Sequence, residues 1–318
     1  VQTCALPICY RLLLTGTVIT NKAIDVFSQF KFLNPAVFGG SFYAWRNRYF
    51  DMVGYGNHTP VLKRSMEPEL TARLHSISYR ATKAECLDLP ETTDVIRQVE
   101  LEPQALRIYR SLVKESFAEL SQGEQITATN ILTRLLRLSQ LTGGFIGNDE
   151  TAAVEQVSAS KLAVLEDILD SAVQEGKKLV LIARFLPEIR AIEKLLEKKG
   201  LRYAIITGAV RNRDEQVATF QSDPQVPVFI GQIATAGLGI TLTAASTMVF
   251  YSLDYSMSNY EQTKARIHRV GQRMPCTYIH LVARQTVDEK VLRALRSKAD
   301  LAKTLVDDYR SGLNPFAS

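Results

Sequence analysis

From Lys177 onward, short apolar runs alternate with longer stretches in which apolar residues recur every three or four positions. That alternation predicts a parallel sheet with helices on both faces, an α/β fold. Residues 178–183 read as the first strand. A helix over 187–199 follows, with Pro187 in its first turn and Gly200 just past its end, the usual asymmetry of helix starts and stops. Residues 203–206 read as a strand and 211–221 as a helix. Strands at 226–231, 247–251 and 276–283 complete the set, and Thr286 and Asp288 should cap a closing helix running to Lys303. In open sheets of this kind ligand contacts gather on loops at the carboxyl ends of strands. That rule singles out Thr207, Gly208 and the following Arg213.

Upstream the periodicity changes. Two long amphipathic helices are predicted over 104–119 and 128–141, preceded by an aromatic cluster of Phe38, Phe42, Tyr43, Trp45, Tyr49, Phe50 and Tyr55. Such a cluster can stack on bases, but packing into a core is the commoner fate of aromatics and is favoured here. Gly143-Gly144 and the Ser/Ala/Glu-rich stretch 149–160 read as a linker. Residues 11–30 read as one strand and one helix whose apolar side chains, Leu12, Leu13, Leu14, Ile24, Val26, Phe27 and Phe30, lack most of a sheet to pack on.

Composition narrows the class without naming it. A chain of 318 residues, 46% hydrophobic and 22% charged, has room for one large or two ordinary domains of globular type. No apolar run approaches the roughly 18 residues that span a bilayer, so a cytoplasmic protein without membrane contact is expected. Cys4 and Cys9 lie at the extreme start, and Cys86 and Cys276 have no metal-ligand spacing, so the latter pair read as reduced structural thiols and no metal site is expected. The net charge of +5 permits a polyanionic partner. Lys63, Arg64, Arg73, Arg80 and Lys83 lie in one stretch, and Arg107, Arg110, Lys114, Arg134 and Arg137 on the predicted helices, where phosphate tracking and a solvated face are equally good readings.

The candidate chemistry lies in two segments. Over 262–272 the chain reads Gln-Thr-Lys-Ala-Arg-Ile-His-Arg-Val-Gly-Gln, and on a helix the offsets of four and seven place Gln262, Arg266 and Arg269 on one face. Paired guanidiniums suit a transferring phosphoryl group, whose charge must be met by fixed cations. Alone, the pair reads as solvated surface charge. About twenty-five residues upstream, however, lies the small-residue loop 234–245, Ala-Thr-Ala-Gly-Leu-Gly-Ile-Thr-Leu-Thr-Ala-Ala, directly after a strand. Its Gly237 and Gly239 permit close backbone approach to phosphate or sugar.

Together these segments resemble the carboxyl-terminal half of a SNF2-type helicase-like ATPase of superfamily two. Residues 262–272 are similar to that family's motif VI, 234–245 to motif V, and 13–17 (Leu-Leu-Thr-Gly-Thr) to motif III, although the proline that usually follows motif III is replaced by Val18. Residues 78–90 resemble the signature of the family's insertion. Thr241, where many members carry Asn, places the chain nearest the annealing-helicase-like and phage or mobile-element branches. The resemblance runs from Arg11 to about Ala302. It implies a RecA-like lobe over 177–304, preceded by a mostly helical insertion over 31–150, a linker and lead-in helix over 151–176, a remnant of a first lobe over 10–30, and a tail over 305–318. Residues 1–9 read as a translated sequencing adapter joined to a broken gene and are set aside as an artefact.

The resemblance also assigns roles. Arg266 and Arg269 would be catalytic, reaching the γ-phosphate of ATP. Gln262, Gly237 and Gly239 would contact nucleotide, and Thr15, Gly16, Thr17, Thr207, Gly208, Arg213 and Thr235 would bind DNA or couple it to the cleft. His268 is read as structural. ATP and Mg2+ are expected cofactors of an intact protein, with duplex DNA and an amino-terminal ATPase lobe in the same chain as partners. No Gly-x-x-x-x-Gly-Lys-Ser/Thr loop and no acidic box before Thr15 occurs, so this chain alone is expected to bind no cofactor and to be inactive. Two other readings remain open: a stand-alone nucleic-acid-binding lobe that works without ATP, and an α/β enzyme such as a nucleotide-sugar transferase.

Overall fold

The computed structural model describes residues 10–14, 23–53, 59–79, 81, 86–122, 128–147, 154–236 and 239–297. The chain divides into two units, residues 1–86 and 87–318.

The first unit is built on aromatic packing. Helices α1 (Val26–Leu33), α2 (Phe42–Tyr49) and α3 (Glu67–His75) surround an antiparallel pair, β1 (Phe50–Val53) and β2 (Thr59–Leu62). The Ser41 hydroxyl caps α2 by accepting from the Ala44 N–H at 3.3 Å. Phe27, Trp45, Tyr49, Phe50 and Leu70 form the core, with Trp45 5.2 Å from both Phe27 and Phe50. Packing thus claims Phe38, Trp45, Tyr49 and Phe50 of the aromatic cluster, whereas Phe42 and Tyr43 are exposed and Tyr55 lies outside the described residues. Val26, Phe27 and Phe30 are buried, against the expectation of a stranded apolar face, because α1 turns them onto its own unit's aromatics and not onto a sheet. Leu12 and Leu14 are exposed.

The second unit is a six-stranded parallel sheet. In chain order its strands are β3 (Thr92–Val99), β6 (Leu179–Ala183), β7 (Tyr203–Ile206), β8 (Val228–Gln232), β9 (Thr247–Phe250) and β10 (Cys276–Ala283), and across the sheet they run β3-β10-β9-β6-β8-β7. A separate hairpin pairs β4 (Phe145–Gly147) with β5 (Val154–Gln156). Along β6, Val180 and Ile182 enter one core and Leu179, Leu181 and Ala183 the other, the period-two alternation of a strand buried on both faces. Helices α4 (Pro103–Gln122), α5 (Ala128–Thr142) and α8 (Arg213–Ser222), with the short α9 (Ile233–Ala236) and the closing α11 (Val287–Ser297), cover the first face. Helices α6 (Ser160–Gln174) and α7 (Leu186–Lys198) cover the second.

Two features were not legible in the pattern. Strand β3 falls within the segment read as a mostly helical insertion, yet it pairs with β10 from Cys276↔Thr92 to Ala283↔Val99. Gly143 and Gly144, read as a loose linker, are buried at the end of α5. Gly144 adopts φ +97°, and a Cβ there would lie 2.5 Å from the Ser158 carbonyl. Glycine is required at that close approach.

Candidate nucleotide site and the elements that hold it

The helix bearing Gln262, α10 (Met257–Lys264), starts on the Ser256 hydroxyl, which accepts from the Asn259 N–H. It ends two residues before Arg266, so the single helical face expected for Gln262, Arg266 and Arg269 does not form. The backbone shows why. The Arg266 carbonyl accepts from the Leu242 N–H at 2.9 Å, and the Arg266 and Gln272 amides bond three residues back, to Thr263 and Arg269. The chain tightens into turns. Buried Gln272 fastens them: its amide donates to the carbonyls of Ala245 at 2.9 Å and Ile267 at 3.1 Å, and its oxygen accepts from the N–H groups of Arg273 and Met274.

The two arginines are nonetheless brought together, by the loop and not by helical periodicity. Arg269 Nη1 donates to the Ile240 carbonyl at 3.0 Å and Arg266 Nη1 to the same oxygen at 3.4 Å. Arg266 Nε also holds the Gln262 carbonyl at 2.9 Å. Burial, and then the neighbouring charge of Arg269, lower the Arg266 pKa from its ordinary value. Two like charges sharing one neutral oxygen form a site of high positive potential. The Gln262 side chain turns to Ser258 Oγ at 3.0 Å. Gly239 adopts φ +65° beside Ile240; Gly237, with Thr15, Gly16 and Thr17, lies outside the described residues.

This pair does not lie at the carboxyl edge of the sheet. It occupies the turn that leads into Cys276, the first residue of β10, and the turn is tied to residues 242–245, just before β9. At the carboxyl ends of β7 and β8 a second group assembles around Gln232. The Gln232 side chain accepts from the Gly208 N–H at 3.3 Å and donates to the Arg184 carbonyl at 3.3 Å, while Thr235 Oγ1 donates to the Gln232 carbonyl at 3.0 Å. Thr207 is buried next to Gly208, and Arg213 bonds the Val210 carbonyl. Thr207, Gly208 and Thr235 are therefore close, and Gln232, which sequence reasoning passed over, joins them.

Edge strand β3 anchors the arginine turn. Lys264 Nζ bonds both carboxylate oxygens of Asp94 at 2.9 Å and sits 4.2 Å over the Tyr278 ring, whose hydroxyl donates to the Lys264 carbonyl. His268 Nε2 lies 2.9 Å from the Pro90 carbonyl. His280 is fully buried, stacked on Phe250 and bonded to the Tyr260 hydroxyl; burial lowers its pKa to about 4 and keeps it neutral.

The carboxyl ends of the central strands are filled by a buried polar network that sequence reasoning missed. Lys161 Nζ bonds Asp288 at 2.6 Å and the Tyr251 carbonyl at 3.1 Å, and Asp288 also accepts from Thr142 Oγ1 and the Ala283 N–H. Nearby, Glu188 accepts from Ser252 Oγ and from the N–H groups of Arg184 and Phe185. Burial pushes the Glu188 carboxyl up to about 7, against those hydrogen bonds and the charge of Lys161. Charged residues at helix starts ordinarily face water, and only the capping role assigned to Asp288 hinted otherwise.

Fold and site together define a RecA-like α/β lobe with paired arginines held against a glycine-containing loop. The family described as SNF2-related domain matches residues 2–143, and the helicase conserved C-terminal domain matches residues 160–271. The two matches follow one another along the chain, which is therefore similar to SNF2-type helicase-like proteins in both of its parts. An uncharacterized ATP-dependent helicase of Mycoplasma pneumoniae is 27% identical over 93% of this chain, and the chromodomain-helicase-DNA-binding protein 1-like of Danio rerio is 28% identical over 96%. The chain spans 28% and 30% of those relatives' lengths. Among solved structures, the Sulfolobus solfataricus SWI2/SNF2 ATPase core in complex with dsDNA aligns with 94% of this chain and 62% of its own, at TM-score 0.55 and 25% identity. The same core domain solved as "SWI2/SNF2 ATPase core domain" aligns at TM-score 0.57 and 22% identity, covering 94% and 63%.

Proposed function

We propose that this chain supplies the second lobe of an ATP-driven DNA translocase, with residues 177–304 forming one wall of the nucleotide cleft. Convergence of Arg266 and Arg269 on the Ile240 carbonyl carries the reading. A guanidinium presents its N–H donors in a fixed planar fork that suits phosphate oxygens, and here two such groups approach one point. ATP fits this donor set, and when bound it supplies a phosphoanhydride whose cleavage drives closure and reopening of the cleft. The arginines would orient the terminal phosphoryl group and neutralise the charge that develops on it. Gln262, Gly237 and Gly239 would line the nucleotide. Mg2+ would enter with the nucleotide and be held by an upstream lobe, as the family resemblance implies. Exposed Val270 and Met274, flanking the arginine turn, offer apolar area for that lobe to close upon.

DNA is the proposed track, with Thr207, Gly208, Arg213 and Thr235, and the motif residues Thr15, Gly16 and Thr17, as contacts or couplers. The dsDNA complex of the aligned Sulfolobus core supports this. Lacking a phosphate-cradling loop of its own, the chain alone is proposed to be inactive. The test is phosphate release by the 318-residue chain with and without duplex DNA. No turnover is expected, and sustained DNA-stimulated release would overturn the reading.

A further inference from the structure

The net charge of the chain is not spread evenly. Through residue 86 there are ten Lys and Arg against five Asp and Glu, and from residue 87 onward 28 against 28, so the whole +5 resides in the first unit. Several of that unit's cations are already engaged: Arg48 and Arg73 pair with Glu69, and Lys63 with Asp51. Lys31 and Arg46 have no carboxylate partner among the described residues, and they bracket a run of rings. The Arg46 guanidinium lies 5.2 Å from the Tyr43 ring centroid, Tyr43 contacts Phe42 at 5.8 Å, Phe42 contacts Phe27 at 5.4 Å, and Lys31 Nζ sits 5.9 Å over Phe27. Phe27 is buried and roots the run in the core, whereas Phe42 is 37% and Tyr43 68% exposed.

Exposed rings ordinarily cost hydration free energy without return. Held edge to face, with a cation at each end, they match what an unstacked nucleobase and its flanking phosphates require. A duplex keeps its bases stacked inside and offers such rings nothing to stack on. We propose that the Tyr43–Phe42 face, flanked by Arg46 and Lys31, is a binding surface for single-stranded nucleic acid, separate from the arginine site of the second unit. The assignment goes beyond the motor reading and does not depend on it.

The test uses the full chain and an oligothymidylate carrying 5-iododeoxyuridine. Irradiation should give an adduct that mass spectrometry maps to the peptide containing Phe42 and Tyr43, and the Arg269→Ala chain should give the same adduct, which separates this surface from the arginine site. Tyr43→Ala should weaken oligothymidylate binding roughly tenfold, Tyr43→Phe should bind like the parent because the ring is retained, and Arg46→Glu should weaken it at low salt. Duplex affinity should change less than about twofold in Tyr43→Ala, since stacking on a base needs an unpaired one. Adducts confined to residues 87–318, or equal oligothymidylate affinity for parent and Tyr43→Ala, would overturn the proposal.

Discussion

Replacing Glu188 by glutamine should make the second unit more stable at neutral pH and leave it unchanged in acid. The side chain is fully buried, and its carboxyl titrates at about 7 where an ordinary glutamate titrates at 4.5. Below pH 4.5 folded and unfolded chains both hold the proton, and the group contributes nothing to the pH dependence. As pH rises from there, the unfolded chain releases the proton while the folded one keeps it, so stability falls until the folded carboxyl ionises. At about 1.4 kcal/mol per pH unit, the interval costs on the order of 3 kcal/mol, after which the penalty is constant. The attraction of Lys161, which acts on this carboxyl from α6, is already contained in the folded-state value of about 7. Glutamine keeps an oxygen to accept from Ser252, Arg184 and Phe185, and it cannot ionise. Urea unfolding across pH 4 to 8 is the assay, followed by amide exchange in β6, because the sole tryptophan, Trp45, reports on the other unit. The two stability curves should meet near pH 4 and separate by on the order of 3 kcal/mol by pH 8. Parallel curves would mean that Glu188 ionises as an ordinary glutamate does, and the reasoning would fail.

Gly143→Ala places a Cβ 1.9 Å from Glu188 Oε1, so the carboxyl must move off its donors at a cost of about 2 to 4 kcal/mol; the loss should shrink in a Glu188→Ala background, and additive losses in a double-mutant cycle would refute the contact. Asp94→Ala releases Lys264 from β3 and should speed amide exchange over 265–273 while leaving β6 to β8 unchanged; unaltered exchange there would remove β3 from any role in holding the arginine turn.

The parts of this molecule that were legible in the sequence are those fixed by local pattern. The bounds of β7 and β10 are those expected, because both strands are short apolar runs with turn residues at their ends. Strand β3 was missed because an edge strand faces water along much of its length, and Thr92, Thr93, Asp94, Arg97 and Gln98 carry no apolar alternation. The arginine segment was read as helix because nothing local forbids one. It is the distant Leu242 N–H and the Gln272 side chain that draw it into turns. Arg266 and Arg269 do approach each other, but through the shared Ile240 carbonyl and not on the helical face that the spacing predicts. Lys161, Glu188 and Asp288 were invisible as a group because they sit on three different helices and their partners come from α5, β10 and the loops after β6 and β9, a relation that no window along the chain contains.

The most direct measurement joins these 318 residues to an upstream lobe carrying a phosphate-cradling loop, and compares DNA-stimulated phosphate release with Arg269 intact and changed to alanine. A loss of about 10³-fold or more in turnover is expected, the scale of an arginine that stabilises phosphoryl transfer, with nucleotide affinity changed far less. Equal turnover by the two proteins would contradict the assignment of the arginine pair to the nucleotide.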